Sequence, residues 1–142
     1  MKFVRFSIGG DAAYGVVDGD TVKEISNSPI GQDYSETGGT YDLNEVKILA
    51  PNPHPSKMLC LALNYGSHLL GADRPTRPQP FYKNTNAIIG PGDPIKLPAD
   101  AGLVVCESEL IAIIGKEASK VSEAEALDYV FGYTAGNDVS AR

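Results

Sequence analysis

The side chains best suited to chemistry are acidic and lie close together. Glu107-Ser108-Glu109 stands immediately ahead of the apolar run Leu110-Ile111-Ala112-Ile113-Ile114. In a strand, residues i and i+2 share a face, so both carboxylates point the same way, with Cβ atoms roughly 7 Å apart. Two like charges facing one site repel by about 3 kcal/mol at 5 Å and an effective dielectric constant near 20. Solvent, a basic residue, a shared proton or a cation must offset that. For the pair taken alone, a solvent-facing edge on which glutamates alternate is the plainer reading. Asp138, in Gly136-Asn137-Asp138-Val139-Ser140, changes the balance. Carried back onto the pair, it would complete an all-oxygen triad. Hard oxygen donors without thiolate or imidazole suit Mg²⁺, Mn²⁺ or Ca²⁺ rather than Zn²⁺ or Cu²⁺. Spacing alone leaves open that Asp138 simply ends a strand or sits in an Asn-Asp turn.

Three further residues are chemically capable. His68, in Asn64-Tyr65-Gly66-Ser67-His68, has a side chain whose pKa suits general acid/base work near neutrality if it closes over a metal site; an exposed loop histidine is the alternative. Lys83 interrupts the otherwise apolar Phe81-Tyr82-Lys83, which favours either exposure or contact with an anion. Arg142 can bind a carboxylate, although a terminal residue frays by default. His54, between prolines, reads as structural. The sequence contains no GxSxG elbow, Walker A loop, GxGxxG or HExxH.

The elements that must position these residues are mostly strands. Lys2–Ser7 alternates polar and apolar residues, and Ala13–Val17 and Thr21–Ile25 flank Asp18-Gly19-Asp20, a hairpin signal. Residues 26–43 read as a loop or connector. Val46–Ala50 precedes Pro51, Pro53 and Pro55, which places a lobe boundary there. Lys57–Leu63 is apolar enough for a strand buried on both faces. Asn64–Pro80, with two Gly, three Pro, two Arg and one His, is a long irregular segment of the kind that usually carries function or is disordered. Short strands are expected at 81–83, 87–89 and 95–97, a longer one within 103–115, and a last one over 130–139. Ser122–Val130 is the one clear helix, with Ser122 and Glu125 at capping-box spacing. The fold class is mainly β (α+β), with domains at 1–50 and 55–142.

Composition narrows the function. The chain has 142 residues and a formal net charge of −6, which argues against binding nucleic acid by phosphate neutralisation and against a polybasic membrane anchor. With 42% hydrophobic and 21% charged residues it is globular, and fifteen Gly and ten Pro promise many turns. No apolar run approaches the ~18 residues of a membrane-spanning helix. The N-terminus lacks a signal-peptide apolar region. Cys60 and Cys106 form no CxxC pair, which fits a reduced, cytoplasmic protein with two buried thiols.

With these residues assembled, the chain resembles the fumarylacetoacetate hydrolase family over about Pro55 to Arg142. The resemblance rests on ordered blocks: Lys57–Tyr65 followed by His68; Pro80–Lys83; Ile89–Ile95; Glu107–Leu110 with Ile114-Gly115-Lys116; and Gly132-Tyr133 leading to Asn137–Arg142. The first fifty residues are similar to the small β-rich N-terminal lobe of longer bacterial members. The resemblance implies a β-roll catalytic core with a divalent ion, Mg²⁺ or else Mn²⁺ or Ca²⁺, held by Glu107, Glu109 and Asp138. It implies a small 2-oxo acid or 1,3-dicarbonyl substrate undergoing C–C hydrolysis, decarboxylation or keto–enol isomerisation, all of which develop enolate charge that a cation stabilises. His68 matches the family's lid histidine, Lys83, Arg142 and Tyr65 would be substrate-binding, and a homodimer is implied.

Two departures stand out. The family's lid motif usually has Glu three residues after the His, where this sequence has Gly71; Asp73 is two positions further on. This makes hydrolysis less secure than decarboxylation or isomerisation. Family members also continue well past the position of Arg142, which suggests a fragment or truncated product. The competing readings are a non-catalytic remnant acting as an interaction or dimerisation module, and an oxygen-ligand binding protein without chemistry.

Overall fold

The computed structural model describes residues 1–69, 71 and 73–141. Its first part is an antiparallel sheet of five strands, β1 (Lys2–Ile8), β2 (Asp11–Asp18), β3 (Thr21–Ile25), β4 (Glu36–Asp42) and β5 (Lys47–Leu49), in the order β4-β3-β2-β1-β5. The expected hairpin is present: Asp18 pairs with Thr21 across Gly19-Asp20, and Gly19 takes the positive φ of 60° that this tight turn requires. Alternation drives Phe6 and Val22 to complete burial, and Val46 closes over them. Gly15 makes room for that core, because a Cβ there would lie 2.5 Å from Val22 Cγ1.

Residues 26–43 are not all connector. Glu36–Asp42 forms the edge strand β4, with Thr40 and Tyr41 paired to Lys23 and Val22. The segment is too polar and Gly-rich to announce itself as a strand, but an edge strand needs only one covered face. Tyr41 supplies it by packing on Phe6 with ring centroids 5.4 Å apart.

Among the described residues the remaining strands are arranged as three two-stranded ribbons. β6 (Met58–Ala62) pairs with β7 (Gln79–Lys83), β8 (Val104–Val105) with β11 (Ser140–Ala141), and β9 (Ser108–Ile114) with β10 (Val130–Asn137), all antiparallel. β6 is not buried on both faces: Leu59 is 54% exposed and Leu61 44%, both on the same face because residues i and i+2 of a strand point the same way. The short strands expected at 87–89 and 95–97 do not form. A 3-10 turn occupies Thr85–Ala87, and 95–97 is irregular. The expected helix is a 3-10 helix, Glu123–Tyr129, and Ser122 Oγ donates to Glu125 Oε2 at 2.6 Å.

The ribbons touch the five-stranded sheet at defined points. Lys47 Nζ on β5 meets Asp93 Oδ1 at 2.7 Å, and Gly90 N–H donates to Asp93 Oδ2 at 2.9 Å. At the other end, the rings of Phe3 and Phe131 lie 5.4 Å apart.

Candidate metal centre

The three acidic residues converge because of strand register. In the β9–β10 ladder Ser108 lies opposite Asn137, and in the β8–β11 ladder Val105 lies opposite Ser140. The two ladders share one register across the gap between them, so Glu107 falls opposite Asp138. The main chain confirms the pairing, since Asp138 N–H donates to Glu107 O at 2.8 Å. Glu109, two residues along and opposite Gly136, shares the face of Glu107. One carboxylate oxygen from each of Glu107, Glu109 and Asp138 lies within 4.8 Å of the other two, and all three residues are half-buried.

At that spacing each pair of charges repels by about 3 kcal/mol at an effective dielectric constant of 20. A hard divalent ion with oxygen ligands at about 2.0–2.6 Å can bridge such a separation, so the donor set fits the expected metal. The residues are firmly placed. Glu107 N–H donates to Asn137 Oδ1 at 3.0 Å, and Ser140 Oγ donates to Asp138 O at 3.3 Å. Asn137 was not singled out by spacing or charge. Its signals are its place beside Asp138 and its membership of the resemblance block Asn137–Arg142.

Lys83, the last residue of β7, forms an ion pair with Asp138 Oδ1 and donates to Val139 O at 3.2 Å. It therefore meets an anion, one supplied by the protein itself. The two thiols are not both buried as expected: Cys106 is exposed, and Cys60, across β6–β7 from Phe81, is half-buried. Burial pushes its thiol up, with the Lys83 charge opposing and Glu109 adding to the shift.

His68 lies on a 3-10 turn, Gly66–Leu69, and is exposed. Its ring is edge-on to that of Tyr65, with centroids 6.3 Å apart. Tyr65 Oη in turn accepts from Leu110 N–H at 3.1 Å, which ties the His68 turn to the strand carrying Glu109. His68, Tyr65, Lys83 and the three carboxylates line one open cleft. Gly71, where a lid acid was expected, has φ of 91° and nothing near a would-be Cβ, and Asp73 is exposed. Arg142 lies outside the described residues.

Comparison with known proteins decides the lineage. The family model described as "Fumarylacetoacetate (FAA) hydrolase C-terminal" matches residues 57–142, and the model "Rv2993c-like, N-terminal" matches residues 1–51. The chain belongs to the fumarylacetoacetate hydrolase family. Among its relatives, the oxaloacetate tautomerase YisK of Bacillus subtilis is 40% identical over 108 residues, which are 72% of this chain and 36% of that protein. The crystal structure of 5-carboxymethyl-2-hydroxymuconate delta-isomerase from Mycobacterium smegmatis superposes with a TM-score of 0.87 at 39% identity, over 100% of this chain and 56% of the other. A maleylpyruvate hydrolase from Sphingobium sp. SYK-6, in complex with manganese(II) and pyruvate, gives 0.77 at 29% identity, over 100% and 60%. The chain spans about half the length of the relatives it matches from end to end. Among the described residues of this fumarylacetoacetate hydrolase family member, no helix is long and apolar enough to cross a membrane.

Proposed function

We propose that the protein is a divalent-metal-dependent enzyme acting on small 2-oxo acids or 1,3-dicarbonyl compounds, by keto–enol isomerisation or by C–C hydrolysis or decarboxylation. The convergence of Glu107, Glu109 and Asp138 to within 4.8 Å carries this reading. Relatives named as tautomerase, isomerase and hydrolase support it, and the manganese bound by one of them supports Mg²⁺ or Mn²⁺ as the ion. Residues 1–50 would form an accessory lobe and residues from 55 onward the catalytic roll. A homodimer and a cytoplasmic setting belong to the same proposal.

Glu107, Glu109 and Asp138 would hold the ion. When bound, such an ion supplies Lewis-acid stabilisation of negative charge developing on substrate oxygens. His68 is the candidate proton carrier at the carbon next to the carbonyl, within the ordinary reach of imidazole chemistry. Its turn is held to β9 by Tyr65. Of the residues expected to bind substrate, Tyr65 and Lys83 already have protein partners. Position 71 is Gly where the family's lid motif usually has Glu, which favours isomerisation or decarboxylation over hydrolysis.

The test pairs metal binding with turnover. Glu109→Gln should abolish both Mn²⁺ binding and Mg²⁺-dependent enolisation of oxaloacetate, followed by enol absorbance. His68→Ala should retain Mn²⁺ binding and lower turnover by about 10²-fold or more. Undiminished Mn²⁺ affinity in both Glu109→Gln and Asp138→Asn would remove the proposed centre. A second reading, an interaction module without turnover, draws on the exposed apolar side chains of the ribbons, such as Leu110 at 68%. Metal-dependent turnover by this chain would exclude it.

A further inference from the structure

The geometry points to Lys83 as a built-in counter-cation of the carboxylate cluster, one that competes with a divalent ion for Asp138 and so sets how tightly that ion is held. The inference rests on the metal-centre reading above and adds a residue to it.

The placement is specific. Lys83 ends β7, on a ribbon that among the described residues shares no ladder with β9 or β10, the strands that Glu107, Glu109 and Asp138 lie on or next to. Its side chain nevertheless crosses to β10's exit and makes two contacts there, the ion pair with Asp138 Oδ1 and the hydrogen bond to Val139 O at 3.2 Å. Both side chains are largely withdrawn from water, 27% exposed for Lys83 and 11% for Asp138, so solvent screens the pair weakly. The oxygen engaged by Lys83 has no other hydrogen-bond partner. A buried carboxylate oxygen without a cation is costly, and crowding by Glu107 and Glu109 raises that cost. The ammonium offsets it before any metal arrives. An entering ion then meets a site already partly neutralised and an Asp138 oxygen already taken. A lysine suits this task better than an arginine fork, because a compact ammonium on a flexible stem can withdraw by rotating.

Lys83 is therefore a positioning residue acting through Asp138. Lys83→Met in the full chain should bind Mn²⁺, titrated by electron paramagnetic resonance, roughly tenfold more tightly than the parent, because an opposing charge is removed from a poorly screened site. The metal-free variant should melt at a lower temperature, and the rise in Tm on adding Mn²⁺ should be larger than in the parent. Lys83→Arg, which keeps the charge, should return the Mn²⁺ affinity toward the parent value. If Lys83→Met does not fold, Lys83→Gln carries the same expectation while keeping a donor for Val139 O. A purely structural role for Lys83 would weaken Mn²⁺ binding, and a role confined to gripping substrate would leave it unchanged; either result overturns the inference. Failure of the underlying centre looks different: the parent protein itself would then bind no Mn²⁺.

Discussion

The two parts of this chain solve the problem of holding side chains in place by different physics. In the five-stranded sheet, burial does it: Phe6 and Val22 are completely enclosed, and Ile25, Val46 and Ala50 nearly so. Among the described residues from 51 onward none is fully buried. Large apolar groups there stand open, including Tyr82 at 74% and Leu127 at 73% exposure. Yet that part carries the candidate metal centre. Its carboxylates are fixed by strand register, by the hydrogen bonds of Asp138 and Glu107 main chain, and by Lys83. A site defined by directional contacts can keep its geometry where no apolar core surrounds it. Its stability, however, depends on few interactions, each worth about 1 kcal/mol.

The largest effect is expected where burial dominates. Phe6→Ala removes a ring packed against Val22 and Val46 and leaves a cavity, at a cost of about 3–5 kcal/mol, a large part of what a domain possesses. Leu110→Ala, at a side chain 68% exposed, should change stability by no more than about 0.5 kcal/mol. Urea unfolding of both variants measures the contrast. A loss of several kcal/mol in Leu110→Ala would show that its face is covered in solution, and the comparison would then fail.

Much of this was legible in the residues, and the reasons differ by feature. The hairpin over Asp18–Thr21 and the strand after Glu109 follow from turn chemistry and apolar patterning, which are local. Glu107 and Glu109 share a face because strand periodicity is local too. That Asp138 joins them depended on β9 and β10 pairing in one register, a non-local fact that spacing could not supply. The family resemblance supplied the grouping, and the ladder shows its physical cause. Strand β4 was missed because edge strands tolerate Gly and polar residues. The partners of Lys83 were invisible because Lys83 and Val139 are separated by 56 positions. Apolar character in Lys57–Leu63 suggested two covered faces, but hydrophobicity states only what would be favourable to cover, and Leu59 and Leu61 stand exposed on one face of β6.

A smaller effect should separate directional ties from burial within the site itself. Tyr65→Phe removes the acceptor for Leu110 N–H while keeping the ring against His68, and should cost about 1 kcal/mol. Exchange of the Leu110 amide with solvent should quicken, as seen by nuclear magnetic resonance. Mn²⁺ affinity should stay within about twofold, because the tie holds the His68 turn and leaves the Glu107–Asp138 pairing intact. A large drop in Mn²⁺ affinity would mean that the turn, and not the ladder register, places the carboxylates.

The smallest effect lies at the contact between the two regions, and its sign is set by protonation. Asp93 accepts from Lys47 Nζ and from Gly90 N–H, and these two bonds, the lysine's first, hold its carboxyl below the ordinary carboxylate value. A carboxyl depressed in the folded chain is protonated more readily in the unfolded one. Its contribution to stability is therefore complete above the ordinary carboxylate range, about pH 4, and is lost as pH falls through the lower folded value. Asp93→Asn should accordingly melt slightly below the parent at pH 7, with the gap closing below about pH 4. Lys47 is 59% exposed, so added salt should narrow the gap at pH 7 as well. A gap that persisted unchanged to pH 2.5 would mean that the turn docks on β5 through the close approach of Gly90 to Ala50 rather than through the ion pair.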